Sequence, residues 1–452
     1  MTVMRITGVM SGLDTEEIIN KLMAIERRPI DLLNSKKATL EKQKTAWQEI
    51  NTKLADLHSK LADLKLMSTY TGKVATSSNT SVVTATASSS ATSAVYSITV
   101  TQLAQAHSVA SDQFADPAAA LNLSGTFTVE GVAVTVATTD SLNSIRDKIN
   151  AANAGATASV IDNRLVITSN TTGAASTIDF VDDATTGVLK SLGILTATNT
   201  IKNQLVAAQD AAFTVNGLNI TRSTNTVSDV ISGVTLTLKG ASATAVSLEV
   251  KNDTQTAVNK IKAFVDSYNA LMSDIATKLD YDSDTKTAGV LQGDRSLTDL
   301  ENQLRRKSSE IISTADPTLN ALNLIGITTS NKESTLTVNE TKLTDVLSAS
   351  PDKVALLFGA SSTNGNDGVA TRMDSTVNLW TLSGTGFLAA KTDSLGNEIT
   401  DIEKQVQRME NRLSIRERNL WRQFTALEEM LARMNAQSSW LAAQFSQMSG
   451  TT

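Results

Sequence analysis

The chain has 452 residues, enough for about three domains, and its apolar content of 41% is ordinary for a folded protein. Aromatic residues make up only 4%, which favours thin β-domains and helical rods over a deep aromatic-lined pocket. A net charge of -6 gives no basic footprint for nucleic acid or anionic lipid, and zero cysteines exclude disulfides, thiolate catalysis and cysteine metal sites.

The beginning of the sequence predicts a short helix followed by a longer one. Asp14 or Thr15 can cap the first helix, whose apolar stripe is Ile18, Leu22 and Ile25. Pro29 removes a backbone donor, so we expect a kink or break there, with a long helix continuing to about Leu66.

The residues before Asp14 do not form a secretory signal, because Gly8, Ser11 and Gly12 interrupt any apolar run. No apolar run approaches the roughly 20 residues that a membrane-spanning helix needs. We therefore expect no membrane insertion, and any export must depend on another signal.

Apolar columns with seven-residue spacing mark both ends of the chain, which is typical of coiled coils. The N-terminal column is Leu33, Leu40, Trp47, Leu54 and Leu61. The C-terminal column is Ile399, Val406, Leu413, Leu420, Leu427, Met434, Leu441 and Met448. Helices of about fifty residues reach roughly 75 Å, so we expect a stalk or leg that pairs outside one core.

The residues of the C-terminal column have apolar companions, and the spacing between a column residue and its companion changes near Arg416 and Glu417. Ile402 and Met409 lie three residues after a column residue, whereas Phe424, Leu431 and Phe445 lie four after one. This shift predicts that the inner half of the rod packs on the adjoining domain and the outer half on a neighbouring subunit.

The middle of the chain predicts β-structure. The alternation from Tyr96 to Thr101 is typical of a strand, although residues 74–93 could equally be a disordered linker. Phe127-Thr-Val-Glu-Gly131 recurs as Phe213-Thr-Val-Asn-Gly217. Segments of helical pattern follow at 141–149 and 227–231, and a strand at 164–169 closes the first unit, so we predict two related β-rich units.

The chain then returns to helix. Val258, Val265, Met272 and Leu279 form a column with companions at Ile261, Tyr268 and Ile275. We further expect a helix at 297–312, a strand at Leu336–Val338, a short helix starting at Pro351 and a loop at 359–368.

The predicted fold class is α+β and multidomain, with terminal coiled-coil helices forming a stalk or leg and two inserted β-rich domains. Residues 1–40 with 425–452 are the predicted terminal leg, and residues 41–72 with 253–424 are the predicted helical stalk domain. Residues 73–113 with 205–252 are the predicted first β-rich domain, into which residues 114–204 are inserted as the second.

We predict no catalytic, cofactor or metal site, and the chain is not expected to be an enzyme. The two histidines, His58 and His107, are far apart, and His58 is expected on a helix flank. Asp280, Asp282 and Asp284 resemble a calcium loop, but the glycine and the final glutamate of that loop are missing. We interpret this segment as a polar turn that ends a helix.

Several segments resemble the flagellar filament cap family, also called flagellar hook-associated protein 2. They are GVMSGLDTEEIINKLMAIERRP at 8–29, YSITVTQLAQA at 96–106, the insertion motif at 141–169, the FTVNGLN segment at 213–240, GVLQGD at 289–294 and LWRQFTALEEMLARMNAQSSWLAAQF at 420–445. The resemblance spans essentially the whole chain in the same order.

The resemblance implies an extracellular cap at the tip of a bacterial flagellum, exported by the type III apparatus and assembled as a ring that promotes flagellin polymerisation. The implied partners are further copies of the chain, flagellin, an export chaperone and the export apparatus, with host mucin as a further candidate. The terminal helices would grip the filament end as legs beneath a plate of β-domains.

The residues assigned to the interface with other subunits or the filament are the apolar ones near the two ends. They are Ile18, Leu22, Ile25, Leu33, Leu40, Trp47, Leu413, Leu420, Phe424, Leu427, Leu431, Met434, Leu441 and Phe445. The alternatives are another flagellar axial protein, either a flagellin or a hook-filament junction protein, and a tip adhesin that binds mucin or glycans.

Overall fold

A computed structural model describes residues 14–313, 315–329, 334–359 and 368–449. The chain divides into two compact units, Met1–Met67 with Val258–Thr452 and Ser68–Ala257. The first is mostly helical and the second is mostly β, so the predicted α+β class with long terminal helices is confirmed. The finer predicted boundaries within each unit remain predictions.

The helices lie in both units, with those between Ser68 and Ser191 in the second and the others mainly in the first. They are α1 Thr15–Leu64, α2 Ser68–Thr71, α3 Leu142–Ala152, α4 Val188–Ser191, α5 Thr254–Leu279, α6 Arg295–Ser309, α7 Glu340–Ala349, α8 Pro351–Phe358, α9 Val369–Thr381 and α10 Phe387–Ser449. A 3-10 helix covers Leu322–Ile325.

The strands lie mainly in the second unit. They are β1 Lys73–Ser77, β2 Val83–Ala87, β3 Ala94–Gln102, β4 Ala106–Ala110, β5 Gly125–Val129, β6 Val132–Val136, β7 Ala156–Ile161, β8 Arg164–Thr172, β9 Phe180–Val181, β10 Gln204–Val206, β11 Ala211–Val215, β12 Leu218–Arg222, β13 Thr226–Ile231, β14 Val234–Leu238, β15 Val246–Asn252, β16 Tyr281–Asp282, β17 Thr287–Ala288, β18 Ile327–Thr329 and β19 Leu336–Val338.

Helix α1 begins where the sequence predicts but is not broken at Pro29. The Asp14 carboxylate accepts the Glu17 N–H at 2.9 Å, which caps the helix. The predicted break at Pro29 is wrong, because α1 continues through Pro29 to Leu64, and a kink there stays a prediction. Proline removes one helical hydrogen bond, whereas Ile19 and Ile30 on either side of it are buried and hold both halves in one helix.

Helix α5 lies antiparallel beside α1, and polar contacts join the two at intervals. Ser267 donates to Asp56 at 2.6 Å, and Lys278 contacts Glu49 at 2.8 Å. Burial disfavours the charged form of Lys278, but its hydrogen bonds to Asp274 and Glu49 prevail and raise its pKa. The predicted seam is confirmed as a buried face over Val258, Ile261, Val265, Tyr268, Met272 and Ile275, which are at most 3% exposed, whereas Leu279 at its end is half-buried.

The predicted β-units are present as two sets of strands with separate hydrophobic cores. One core lies among β4 to β8 with α3 and α4, and includes Phe127, Ile145 and Ile167. The other lies among β2, β3 and β11 to β15, and includes Phe213 and Leu236. Residues 74–93 are not a disordered linker, because they include most of β1 and all of β2.

The repeated motif forms a hairpin twice, as β5–β6 and as β11–β12. Each turn has two residues with positive φ, Glu130 with Gly131 and Asn216 with Gly217, which is the turn that suits tightly connected strands. The helix predicted after the first copy is α3. The helix predicted at 227–231 is wrong, because that segment is β13 and pairs with β14, which buries Val227 and Ile231.

The smaller predictions in the first unit have mixed outcomes. The strand at Leu336–Val338 and the helix starting at Pro351 are confirmed. Helix α6 ends at Ser309 instead of residue 312, because Glu310 is extended. Residues 360–367 of the predicted loop lie outside the described part of the chain.

The two histidines occupy separate structural positions. His58 lies on α1, as expected, and its Nδ1 is 2.5 Å from the buried Asp374 carboxylate of α9, which Lys65 also contacts. His107 is buried in β4 and accepts the Ile178 N–H at 3.0 Å. Both side chains therefore serve packing and hydrogen bonding.

Replacing Trp47 by alanine should lower the free energy of unfolding by about 3–5 kcal/mol, because the side chain is fully buried and packs edge-on against Phe387 at 6.2 Å. Urea denaturation measures the loss. Leu32→Ala is the control, since Leu32 is 72% exposed on the same helix and should change stability by no more than about 0.5 kcal/mol. Equal effects would contradict this packing.

Acid should destabilise the first unit partly through Asp316. Hydrogen bonds from Thr318 and Lys353 lower the pKa of Asp316 from 3.8 to about 2. Its contribution is therefore present above pH 3.8 and is lost as the pH falls towards 2. Between pH 5 and pH 2, the melting temperature of the Asp316→Asn variant should fall less steeply with pH than that of the natural chain. Equal slopes for the two chains would exclude this contribution of Asp316.

Candidate assembly surface

Helices α1 and α10 run antiparallel, and polar pairs join them along the first half of α1. The pairs are Lys36 with Glu398 at 2.7 Å, Lys37 with Glu403 at 2.6 Å, Glu26 with Arg416 at 3.2 Å and Thr15 with Glu428 at 3.1 Å. The hydrogen bond to Glu403 raises the pKa of Lys37. The three ion pairs are at least partly exposed, so they set the register of the helices more than their stability.

The chain itself covers three of the residues predicted to contact other chains. Trp47 is fully buried, Leu40 is 8% exposed and Leu420 is 7% exposed. Because α10 folds back beside α1 and buries this part of both columns, these three side chains expose little surface to another chain. Ile18, Leu33, Leu413, Phe424 and Leu431 are half-buried.

The remaining predicted residues are exposed. Leu22 is 41% exposed, Ile25 59%, Leu427 43%, Met434 54%, Leu441 49% and Phe445 68%. Those on α10 lie close to or beyond Glu428, which contacts Thr15 at the start of α1. Helix α10 then continues for 21 residues to Ser449, a distance of roughly 30 Å at 1.5 Å per residue.

Four further exposed apolar residues were missed by the column pattern: Leu32 at 72%, Ile415 at 51%, Met430 at 61% and Trp440 at 62% exposure. None lies on the N-terminal or C-terminal column given above, although Leu32 lies seven residues after Ile25. Met430 lies three residues after Leu427, so counting the positions at i+3 as well would have found it. We call Leu427, Met430, Met434, Trp440 and Leu441 the tail ridge.

The helix pair packs loosely on both sides of Leu413. A groove of about 650 Å³ beside Pro29 is lined by Glu26, Met409, Arg412, Leu413, Ile415, Arg416 and Asn419. A second groove of about 480 Å³ is lined by Asn20, Met23, Ala24, Arg27, Glu410, Leu413, Ser414 and Glu417. This part of the pair leaves room for side chains of another helix.

The surface consists mainly of apolar side chains on two long helices. Among residues 14–313, 315–329, 334–359 and 368–449, no group of three acidic or histidine side chains could hold a metal ion. In the same ranges, no helix combines the length and the apolar character needed to cross a membrane. Exposed Leu, Met and Trp side chains on one helix are typical of a contact with another protein.

Comparisons with known proteins cover nearly the whole chain. Residues 11–107 match the family described as flagellar hook-associated protein 2 N-terminus, and residues 208–436 match flagellar hook-associated protein 2 C-terminus. Residues 120–171 match the flagellin hook IN motif.

Individual relatives agree with these matches. The A-type flagellar hook-associated protein 2 of Pseudomonas aeruginosa is 29% identical over 98% of each chain, and the B-type protein is 30% identical over 93% of each chain. A crystal structure of the flagellar cap protein FliD D1-D2-D3 domains from Escherichia coli superposes with a TM-score of 0.62. It is 29% identical and covers 78% of this chain and 99% of that one.

Proposed function

We propose how this chain, which belongs to the flagellar hook-associated protein 2 family, uses its helical leg to cap a flagellar filament. The leg is the α1–α10 pair. The chain is a structural protein of the flagellum, located outside the cell at the filament tip, where it promotes flagellin polymerisation. The Escherichia coli flagellar cap protein, similar over nearly its whole resolved length, supports this assignment.

The observation that carries the mechanism is the exposed tail ridge. Copies of the chain associate with one another and with flagellin, and the ridge supplies the apolar surface of that contact. Burying a whole side chain of this kind contributes roughly 1.5–3 kcal/mol, so a half-exposed one contributes about 1 kcal/mol. The five ridge residues together contribute about 5 kcal/mol, which is near the lower limit of the roughly 4–15 kcal/mol that association costs.

A single ridge contact is therefore weak, and stable binding needs several legs at once. This balance suits a cap that must remain attached while flagellin subunits are added beneath it. One leg can detach and rebind while the others hold, because the effective concentration at the tip stays high. A closed ring of copies meets this requirement.

Two further proposed partners are the type III export apparatus and an export chaperone. The chain travels through the type III export apparatus, and an export chaperone that covers the tail ridge would keep copies apart before export. The other readings, a flagellin, a junction protein or a mucin-binding adhesin, are not favoured, because the matched relatives are hook-associated protein 2.

The triple variant Leu427→Ala, Met434→Ala and Leu441→Ala should release monomers and cause cells to excrete unpolymerised flagellin. Leu420 is left intact because it is buried between α1 and α10 and its loss would destabilise the fold. Light scattering measures the assembly, and the culture supernatant is assayed for flagellin.

The matched control removes the same number of exposed apolar side chains from the β-unit, as Val95→Ala, Ile161→Ala and Leu218→Ala. It should assemble and cap normally. Normal assembly and normal filaments from the ridge variant would overturn the proposed role of the ridge.

A further inference from the structure

The small sheet of β18 and β19 has one covered edge and one open edge. Asn269 of α5 covers the outer edge of β19, since its amide donates to the Leu336 C=O at 2.8 Å and accepts the Leu336 N–H at 2.7 Å. Leu336 lies opposite Thr329, and the Asn339 N–H bonds to the Gly326 C=O. By the alternation of an antiparallel ladder, Ile327 and Thr329 point their N–H and C=O groups away from β19.

Within the described residues, no strand or side chain pairs with that outer edge of β18. A groove of about 490 Å³ lies beside it, lined mainly by Ser308, Ile311, Leu322, Leu324, Ile327 and Thr329. Ile311 is 68% exposed and Leu324 is 36% exposed. The groove thus offers an open strand edge together with apolar side chains, a combination that fits an extended segment carrying an apolar side chain.

The rim of this groove is basic. Lys342 donates from Nζ to the C=O of Asn323, which lines the groove, at 3.1 Å. Arg305 and Arg306 lie on the last turns of α6 leading into the groove, are exposed, and have no carboxylate partner among the described residues. The nearby Glu310 and Asp316 are paired with Lys307, Arg372 and Lys353. The rim therefore favours an acidic partner.

The same chain carries a segment with the opposite properties. Strands β16 and β17 form an exposed hairpin in which Asp280, Asp282 and Asp284 are exposed and have no ion pair within the described residues. Lys286 is the one opposite charge on it. The Tyr281 side chain is 50% exposed, and the Gly289 N–H bonds to the Asp280 C=O, so the backbone groups of Tyr281 point out of the hairpin edge.

We propose that the β16–β17 hairpin of one copy docks in the β18 groove of a second copy, with Tyr281 in the groove and the aspartates at the basic rim. The backbone of Tyr281 extends the β18–β19 sheet. This inference rests on the self-association in the proposed function but uses surfaces separate from the tail ridge. Because hairpin and groove are different surfaces, the contact is head-to-tail and generates a ring when its rotation closes.

Disulfide cross-linking tests the contact directly, because the natural chain has no cysteine. Full-length Tyr281→Cys and Thr329→Cys are mixed under assembling conditions and oxidised. Cysteines can be bridged only when their Cα atoms lie within roughly 7 Å, so a covalent dimer reports the docked hairpin. The control mixture is Tyr281→Cys with Asn302→Cys, an exposed residue earlier on α6.

A dimer band at least fivefold stronger than in the control supports the inference. If the mixture assembles by light scattering but gives no more dimer than the control, the docking is wrong and the ridge-based function stands. If no variant and not even the natural chain associates, both proposals fail.

Charge reversal provides a second measurement. Asp280→Lys with Asp284→Lys on the hairpin, or Arg306→Glu with Lys342→Glu at the rim, should each weaken assembly about fivefold at low salt. Mixing the two variants should restore association, because the lysines on the hairpin of the first variant then face the glutamates at the groove of the second. Reversal without any effect, or without rescue on mixing, would overturn the electrostatic match.

Discussion

The structure of the first unit depends on α10 folding back antiparallel on α1. This packing buries Trp47, Leu40 and Leu420 within one chain. Thr15 at the start of α1 contacts Glu428 of α10. Beyond Glu428, α10 carries the same apolar pattern, but its apolar side chains are exposed. One helix thus contributes to the core of its own chain and also carries an exposed apolar surface, which we propose contacts other chains.

The sequence predicted this helix well because seven-residue spacing depends only on helical geometry. It did not reveal which column residues find a partner inside the chain: the spacing at Trp47 and at Leu441 is the same, yet one is buried and the other is 49% exposed. Pro29 was overestimated as a breaker because the burial of its flanking residues is a tertiary effect. The segment 227–231 became a strand for a similar reason, since β14 lies beside it.

The candidate site was predictable in part. The exposed residues Leu427, Met434 and Leu441 follow from the pattern, whereas Trp440 and Met430 lie outside the column. The sequence did not predict that the β18 groove and the acidic hairpin could pair. Their complementarity lies in open strand edges and opposite charges, which are visible only in the folded structure. With the tail ridge, they form the two contacts that we propose for the cap: a weak, rebindable one along the leg and a separate one that fixes neighbouring copies.

Hydrogen exchange on a dilute, verified monomer tests the central claim most directly. The account predicts slow exchange for the paired part of α10 around Ile402 and Leu420, and fast exchange for residues 429–449, which become protected when copies assemble. Equally strong protection of residues 429–449 in the monomer would mean that the ridge already has its partner within one chain. That result would contradict the account.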